Sequence, residues 1–391
     1  MASATPLEVI VVGAGSTGLL LAQGLKQNGI RCTVFEREDH MTYQNRSREW
    51  GMTLHWGAEY LSKCIPPNLV AKLDENICCD PFFKGKTTSL PLYNGATGEK
   101  LFEMHGMDPR RVSQKKLGNF LSQGIDVQYG MRLVSVTVDP GHSVTAVFED
   151  GTSASGFAPG LAKEEYMDIQ MFNVSCTFPK ETAEYLRTIH PIFKNSYHPD
   201  GFTWWNSIQD VGDPDRPETW LFQNLLSWAG APRTEDLPDQ ESRLKFWRDR
   251  GPKYAEPWAT IGKQLPDNLV FPTDRTIVWK PDMDWSHSPL WPRVTLAGDA
   301  AHAIPPFRGQ GLNNALQDAA NLIDKLRAFD TGAQSLSEAI ADYEKEMKER
   351  AMTEMKVSIL QAETVHTWDR LMEAPFIKHG MNKYQEEQEA K

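Results

Sequence analysis

A chain of 391 residues, 40% hydrophobic and 24% charged, is long enough for two domains and a large core. Its formal net charge of −11 argues against nucleic acid or an anionic membrane as partner, and no apolar run approaches the roughly eighteen residues of a membrane span. Met1-Ala2-Ser3-Ala4-Thr5-Pro6 lacks the basic and apolar regions of a secretory signal. The five cysteines (32, 64, 78, 79 and 176) form neither a zinc pattern nor an even disulfide set, so reduced thiols in a cytoplasmic protein are expected.

Residues 7–12 form a short apolar, β-branched run ending in glycine, which predicts a buried strand. In Gly13-Ala14-Gly15-Ser16-Thr17-Gly18, Gly13 allows a tight turn, Gly15 lets backbone approach a pyrophosphate, and Gly18 lets the following helix pack closely on the sheet. Leu19, Leu20, Ala22 and Leu25 supply that helix with an apolar face, and Gly29 ends it. Its N-terminus suits a pyrophosphate, because free N–H groups and the helix dipole both favour negative charge. Residues 31–35 are the second strand, closed by Glu36-Arg37, with Glu36 where a carboxylate grips a ribose hydroxyl; this favours FAD or NAD over NADP.

The middle of the chain changes texture. Residues 167–178 and 201–227 contain apolar and aromatic runs separated by turns such as Gly212-Asp213-Pro214-Asp215, predicting an antiparallel sheet with one buried face. Four of the twelve tryptophans, Trp204, Trp205, Trp220 and Trp228, fall on it, and Trp204, Trp220 and Tyr197 are candidates for an aromatic substrate pocket. Tyr43 and His198 are further polar pocket candidates.

A second signature follows at Val294-Thr295-Leu296-Ala297-Gly298-Asp299-Ala300-Ala301-His302. Its apolar residues predict another strand, with Asp299 at a carboxyl edge where α/β sheets bind ligands. His302 is expected to be structural. Pro305 and Pro306 enforce a rigid non-helical segment. Gly309 and Gly311 then open a helix with apolar positions Leu312, Leu316, Ala319, Leu322, Ile323 and Leu326. From Ser335 the pattern remains helical, with Glu344, Lys345, Glu346 and Lys348 on a solvated face.

With both signatures in this order, the chain resembles the FAD-dependent aromatic hydroxylases, the group A flavoprotein monooxygenases of the p-hydroxybenzoate hydroxylase and kynurenine monooxygenase type, in a version most like fungal secondary-metabolite monooxygenases. The resemblance covers about half the chain, roughly residues 7–60, 110–150 and 270–330. It implies that Asp299 holds the ribityl chain and that Gln310, Gly311, Leu312 and Asn313 abut the pyrimidine end of the flavin. It also sets the Pro305-Pro306 segment against the flavin face and puts Arg46-Ser47-Arg48-Glu49-Trp50-Gly51, through Arg48, in a loop near the flavin.

Two departures stand out. Where the family carries an FAD-contacting arginine three residues before a leucine, this chain has Gln114 before Leu117, with Arg111 one turn earlier as a further cofactor-binding candidate. After Phe148-Glu149-Asp150-Gly151, where relatives continue into a strand ending in aspartate–glycine, the chain passes through Thr152-Ser153-Ala154-Ser155-Gly156 to Phe157-Ala158-Pro159-Gly160. In the family, the missing motif touches both the FAD pyrophosphate and the transient nicotinamide cofactor.

The expected fold is α/β: a Rossmann-type FAD-binding domain from residues 1–160 and 270–330, an inserted, mainly antiparallel substrate domain over 161–269, and a C-terminal helical segment from 331 to 391. The expected function is monooxygenation of an aromatic or polycyclic small molecule with FAD, NADPH or NADH, and O2, needing no metal. The alternatives are an FAD enzyme working without NAD(P)H reduction, as an oxidase, isomerase or cyclisation catalyst, and a non-catalytic FAD-binding protein.

Overall fold

The β-branched run and glycine punctuation at the N-terminus produce a βαβ unit: β1 (Glu8–Val12), α1 (Ser16–Gln27) and β2 (Arg31–Glu36). The computed structural model describes residues 7–46, 49–85, 89–105, 109–138, 143–151, 153–154, 165–272, 274–282, 284–375 and 377. In chain order there follow α2 (His40–Gln44), β3 (Gly51–Leu54), α3 (Gly57–Cys64), α4 (Pro67–Val70), α5 (Leu73–Ile77), β4 (Ser89–Asn94), β5 (Lys100–His105), β6 (Arg110–Ser113), α6 (Gln114–Leu121), β7 (Val127–Tyr129), β8 (Leu133–Val138), β9 (Val144–Phe148) and β10 (Ser153–Ala154). The second half holds β11 (Glu165–Cys176), α7 (Lys180–Ile189), β12 (Phe193–Tyr197), β13 (Phe202–Asp210), β14 (Leu221–Ala229), α8 (Gln240–Arg248), α9 (Trp258–Lys263), β15 (Asp274–Val278), α10 (Gly311–Asp330), α11 (Leu336–Val365) and α12 (Trp368–Glu373).

The first layer is a parallel sheet ordered β1-β2-β7, with Val9 opposite Cys32 and Val34 opposite Val127. Helix α1 packs between this sheet and α10. Leu19, Leu20, Ala22 and Leu25 meet Leu316, Ala319 and Ile323 in one core, so the ends of the chain share a hydrophobic cluster. Gly24 allows that approach, since a Cβ there would collide with the Ile323 side chain.

Residues 294–297 do not form the strand expected of them. Among the described residues, β1 pairs with β2 alone, and 294–297 run as irregular chain into a short turn at Gly298–Ala300. A strand exists only where a neighbour completes its ladder. Among the described residues no strand lies beside 294–297 to complete such a ladder.

The second layer is a seven-stranded sheet ordered β15-β11-β14-β13-β12-β4-β5. It departs from the expected insertion over 161–269 by recruiting β4 and β5 from the N-terminal half and β15 from beyond residue 269; β4 joins through parallel pairing with β12. Nor is only one face buried. Phe172, Trp204, Phe222, Leu226 and Trp228 point outward into an apolar core closed by α7, α8 and α9. The opposite face carries Asn173, Thr203, Ser207, Gln209, Gln223 and Ser227, all buried beneath the nucleotide-binding half and the C-terminal helices. No helix among the described residues is long and apolar enough to cross a membrane.

Candidate active site

The first glycine signature folds as its spacing predicts. Gly13 has φ +104°, a conformation L side chains rarely adopt, and its N–H donates to the Phe35 carbonyl. A Cβ on Gly18 would collide with the Gly13 carbonyl, so only glycine permits this helix–strand approach. Gly15 faces open space and stands at the N-cap of α1, where no side chain caps the helix. The amides of Ser16, Thr17 and Gly18 lie within the first turn, whose N–H groups have no intrahelical acceptor and suit an anionic ligand. Glu36 is buried at the end of β2, its carboxylate accepting from the amides of Ala14 (2.9 Å) and Glu38 (3.0 Å); Arg37 follows, exposed. Tyr43 donates to the Ala14 carbonyl at 2.7 Å, making it a support for the glycine turn.

A cleft opens here, lined by Ala14, Gly15, Ser16, Tyr43, Arg46, Glu49, Gln114 and Lys115 among others. Arg46 is paired with Glu38 at 2.7 Å. Gln114 lines this cleft from the first turn of α6, and Arg48 lies outside the described residues. Arg111 turns the other way. On β6 successive side chains alternate: Arg110 reaches Asp74 at the surface, while Arg111 enters the interface with the seven-stranded sheet.

The second signature meets the first. Gly298 has φ +60°, and a Cβ there would collide with Thr17 Oγ1. Asp299 is open to solvent although protein surrounds it on most sides, and desolvation raises its pKa above the usual value. Behind it, Asp318 accepts from the Gly298 amide (2.7 Å) and Arg350 (2.6 Å) and lies 2.7 Å from His302 Nε2. Burial alone would raise the Asp318 pKa; His302 and Arg350 outweigh it and hold the carboxyl below its usual range. His302 is fully buried and anchors this turn.

Pro305 and Pro306 lead into a short turn ending at Gly309 (φ +64°), and α10 begins at Gly311 with no capping side chain. Leu312 packs on the first core. The Asn313 side chain is wholly occupied: Oδ1 accepts from His55 N (2.9 Å) and Gly57 N (3.2 Å), and Nδ2 donates to the Thr53 and Gly309 carbonyls (3.1 Å each). Only its backbone remains for a ligand.

On the inner sheet face, Arg111 donates to Thr53 Oγ1 at 3.1 Å and to the Gln223 side-chain oxygen, with Cζ 5.3 Å from the Trp205 ring centroid. The pocket aromatics fall differently from expectation. Trp204 is fully buried on the outer face against Trp247 and Tyr254, and Trp220 packs at the outer core's edge beside Arg187. Register alternation excludes Trp204 from the inner face, and Trp220, which precedes β14, is kept from it by its packing on the outer core. Tyr197 is on that face, within a cluster of Leu92, Val365 and Leu371. Further along, Thr203, Ser227 and His366 form a hydrogen-bonded chain to the end of α11 (2.6 and 2.9 Å). The sequence signal for this polar face was the two-residue period Thr203, Trp205, Ser207, Gln209, which reads equally as a solvated face until both sides are seen covered.

The uncapped starts of α1 and α10, with the buried Glu36 carboxylate at the end of β2 and Asp299 at the Gly298 turn, suit a dinucleotide. Comparison with known proteins agrees. Residues 291–358 match the FAD binding domain family, and residues 11–75 match the NAD(P)-binding Rossmann-like domain family. Among solved structures, 2,6-dihydroxypyridine-3-hydroxylase from Arthrobacter nicotinovorans superposes with a TM-score of 0.73 at 17% identity, covering 93% of this chain and 94% of that one. HpxO from Klebsiella pneumoniae, complexed with FAD and uric acid, superposes with 0.72 at 18% identity, covering 95% and 92%. The FAD-dependent monooxygenase cctM of Talaromyces islandicus is 35% identical over 392 residues, covering 95% of this chain and 96% of its relative. The FAD-dependent monooxygenase phnB of Penicillium herquei is 32% identical over 397 residues, covering 95% and 94%. With two glycine signatures folded against each other and relatives this similar along nearly their whole length, the chain belongs to the FAD-dependent monooxygenases.

Proposed function

We propose that this monooxygenase hydroxylates or epoxidises an oxygen-bearing aromatic or polycyclic small molecule of fungal secondary metabolism, with NAD(P)H as reductant and O2 as co-substrate. The observation that carries this reading is the inner sheet face, which is polar, buried and turned toward the nucleotide-binding half. Buried polar groups cost free energy unless each is paired, so a buried polar face turned toward the nucleotide-binding half is accounted for by a ligand. Here Asn173 Nδ2 and both polar atoms of the Gln209 amide have no partner.

FAD, when bound, supplies the redox chemistry that activates oxygen. The chain's own residues would hold and orient it: the first-turn amides of α1 at Ser16, Thr17 and Gly18 would receive the pyrophosphate, Glu36 with Arg37 beside it the ribose, and Asp299 the ribityl hydroxyls, with Gln114 and Lys115 along the cleft. The start of α10, from Gly311 through Leu312 to the backbone of Asn313, would present its positive end to the flavin and favour negative charge there. Pro306 and Gly309 hold the preceding loop rigid, and Tyr197 with α11 and α12 closes one end of the inner face against water. All five cysteines stand as free thiols, which supports a reducing compartment, the cytoplasm.

Oxygen uptake by the purified, FAD-loaded protein with NADPH or NADH, with and without phenolic and polycyclic candidates, tests the reading. Substrate-stimulated uptake with one oxygen atom gained by the product supports it. A redox-neutral product formed without reductant would favour the second reading, an FAD enzyme that needs no NAD(P)H, which the departure of the sequence from the family pattern after residue 151 motivates.

A further inference from the structure

We propose that His366 is a positioning residue: it ties the inner sheet face to Phe307 and so fixes the loop from Pro305 to Gly309 that leads into α10. The inference rests on the reading above that this loop borders the flavin. It adds what sets the loop's place, which is the far end of the chain acting through α11.

The loop has little of its own to hold it. Pro305 and Pro306 have no N–H to donate, and an internal bond runs from the Gly309 N–H to the Pro306 carbonyl at 2.9 Å. Gln310 and Asn313 take the Arg308 and Gly309 carbonyls (3.3 and 3.1 Å), which secures only its last residues. The side chains of Phe307 and Arg308 both turn to α11. Arg308 Nε donates to Glu354 Oε1 at 2.8 Å, and the same oxygen accepts from the Ser358 hydroxyl at 2.9 Å. Phe307 packs on the cluster of Tyr197, Val365 and Leu371 and meets the His366 ring edge to face, centroids 5.0 Å apart and planes at 83°. Glu354 and His366 stand about three turns apart, so one helix grips the loop at two points.

The ring that meets Phe307 is itself fixed from two sides. Its Nδ1 lies 2.7 Å from the Ala362 carbonyl, which can only accept, so Nδ1 carries the ring's proton. His366 is buried, and desolvation draws its pKa down to about 4, so the ring is neutral and Nε2 is an acceptor. Ser227 on β14 therefore donates to Nε2 at 2.9 Å. With its proton spent there, Ser227 accepts from Thr203 on β13 at 2.6 Å. The hydrogen bonds run one way, from sheet to ring to helix, and turning the ring breaks both of its bonds. Backbone contact supports the same approach: in the turn before β13, a Cβ on Gly201 (φ +81°) would lie 3.0 Å from the His366 carbonyl.

An apolar side chain at position 366 would pack on Phe307 equally well, but it would leave the Ser227 hydroxyl without its acceptor on a buried face. Histidine does both. It bonds to the sheet through Nε2, bonds to the helix through Nδ1, and packs on the loop with its ring. Displacing the ring at the sheet therefore displaces Phe307, and the loop with it.

The test is a double-mutant cycle on the full-length protein, read by FAD titration and by visible circular dichroism of the bound flavin. Ser227→Ala cuts the sheet's hold on the ring, and Phe307→Leu cuts the ring's hold on the loop. We expect each to weaken FAD binding by about 3–30-fold and to alter the flavin dichroism. The double variant should bind no more weakly than the weaker single one, because both changes break one linkage. His366→Leu should match them, and His366→Gln, which keeps a donor and an acceptor, should recover part of the loss. Losses that multiply in the double variant, or unchanged affinity and dichroism in either single variant, overturn the proposal. A lowered melting temperature with normal affinity and dichroism makes His366 merely structural and overturns it too. If Phe307→Leu does not fold, Phe307→Met takes its place in the cycle. Wild-type protein that binds FAD while the cycle fails refutes this inference alone, whereas wild-type protein that binds no FAD refutes the functional reading beneath it.

Discussion

Gly298 lies so close to Thr17 that no side chain fits between them, although 281 positions separate the two along the chain. The contact packs the Gly298-Asp299 turn against the first turn of α1, so the two glycine signatures meet. Gly298→Ala combines a collision with a backbone at φ +60°, so we expect a loss of about 1–3 kcal/mol in stability and a sharp drop in flavin content. Thermal melting and the flavin absorption of purified protein check this; normal flavin loading would show the contact to be dispensable.

Glu36 holds the glycine turn and faces the expected ribose position at once. Glu36→Ala should weaken FAD binding by about 1.5–3 kcal/mol through loss of a charge-assisted hydrogen bond. Asp299→Ala should deplete flavin while leaving the fold intact. Titration of apoprotein with FAD measures both; unchanged affinity in Glu36→Ala removes the ribose role, and unfolding of Asp299→Ala in excess FAD would make that residue structural.

Lys194 is buried on the outer sheet face, and the charge it senses is the like-signed Arg187, so desolvation pulls its pKa down to about 7. In the unfolded chain the amine titrates near its ordinary value of about 10.5. Between those limits the unfolded state binds the extra proton, so the penalty is absent above about pH 10.5, grows as pH falls, and is complete below about 7. Lys194→Met should therefore stabilise the protein at neutral pH by about 2–5 kcal/mol, with the gain shrinking toward pH 10. Urea midpoints of the two proteins across that range decide it, and a destabilised Lys194→Met at neutral pH would show that the amine has a compensating partner.

Among the described residues β1 pairs with β2 alone, and the resemblance to the aromatic hydroxylases implies a nicotinamide-positioning motif after residue 151 that this sequence does not show. We expect tight FAD binding with slow bleaching by NADPH or NADH in anaerobic stopped-flow. Fast, substrate-stimulated bleaching would show the motif to be unnecessary and mark an ordinary hydroxylase.

The local signals were legible because their physics is local. Gly13 and Gly18 are required by a positive φ and by a helix one turn away, Glu36 by the end of the adjacent strand, and the α10 periodicity by a face that can be counted along the chain. The seven-stranded sheet was half legible: alternation in β13 and β14 announces two faces but not what covers them. The sequence read Trp204 as a pocket residue because it is large and aromatic, whereas register with Leu226 and the helices outside the sheet put it in the outer core. Arg111 was read by its nearness in sequence to Gln114, yet strand alternation turned it away from the cleft and onto Gln223, 112 positions further along. Residues 294–297 had every local mark of a strand and lacked only a neighbour. Which residues carry chemistry is written in residue type and spacing, but which of them meet depends on contacts between distant segments that only the folded chain brings about.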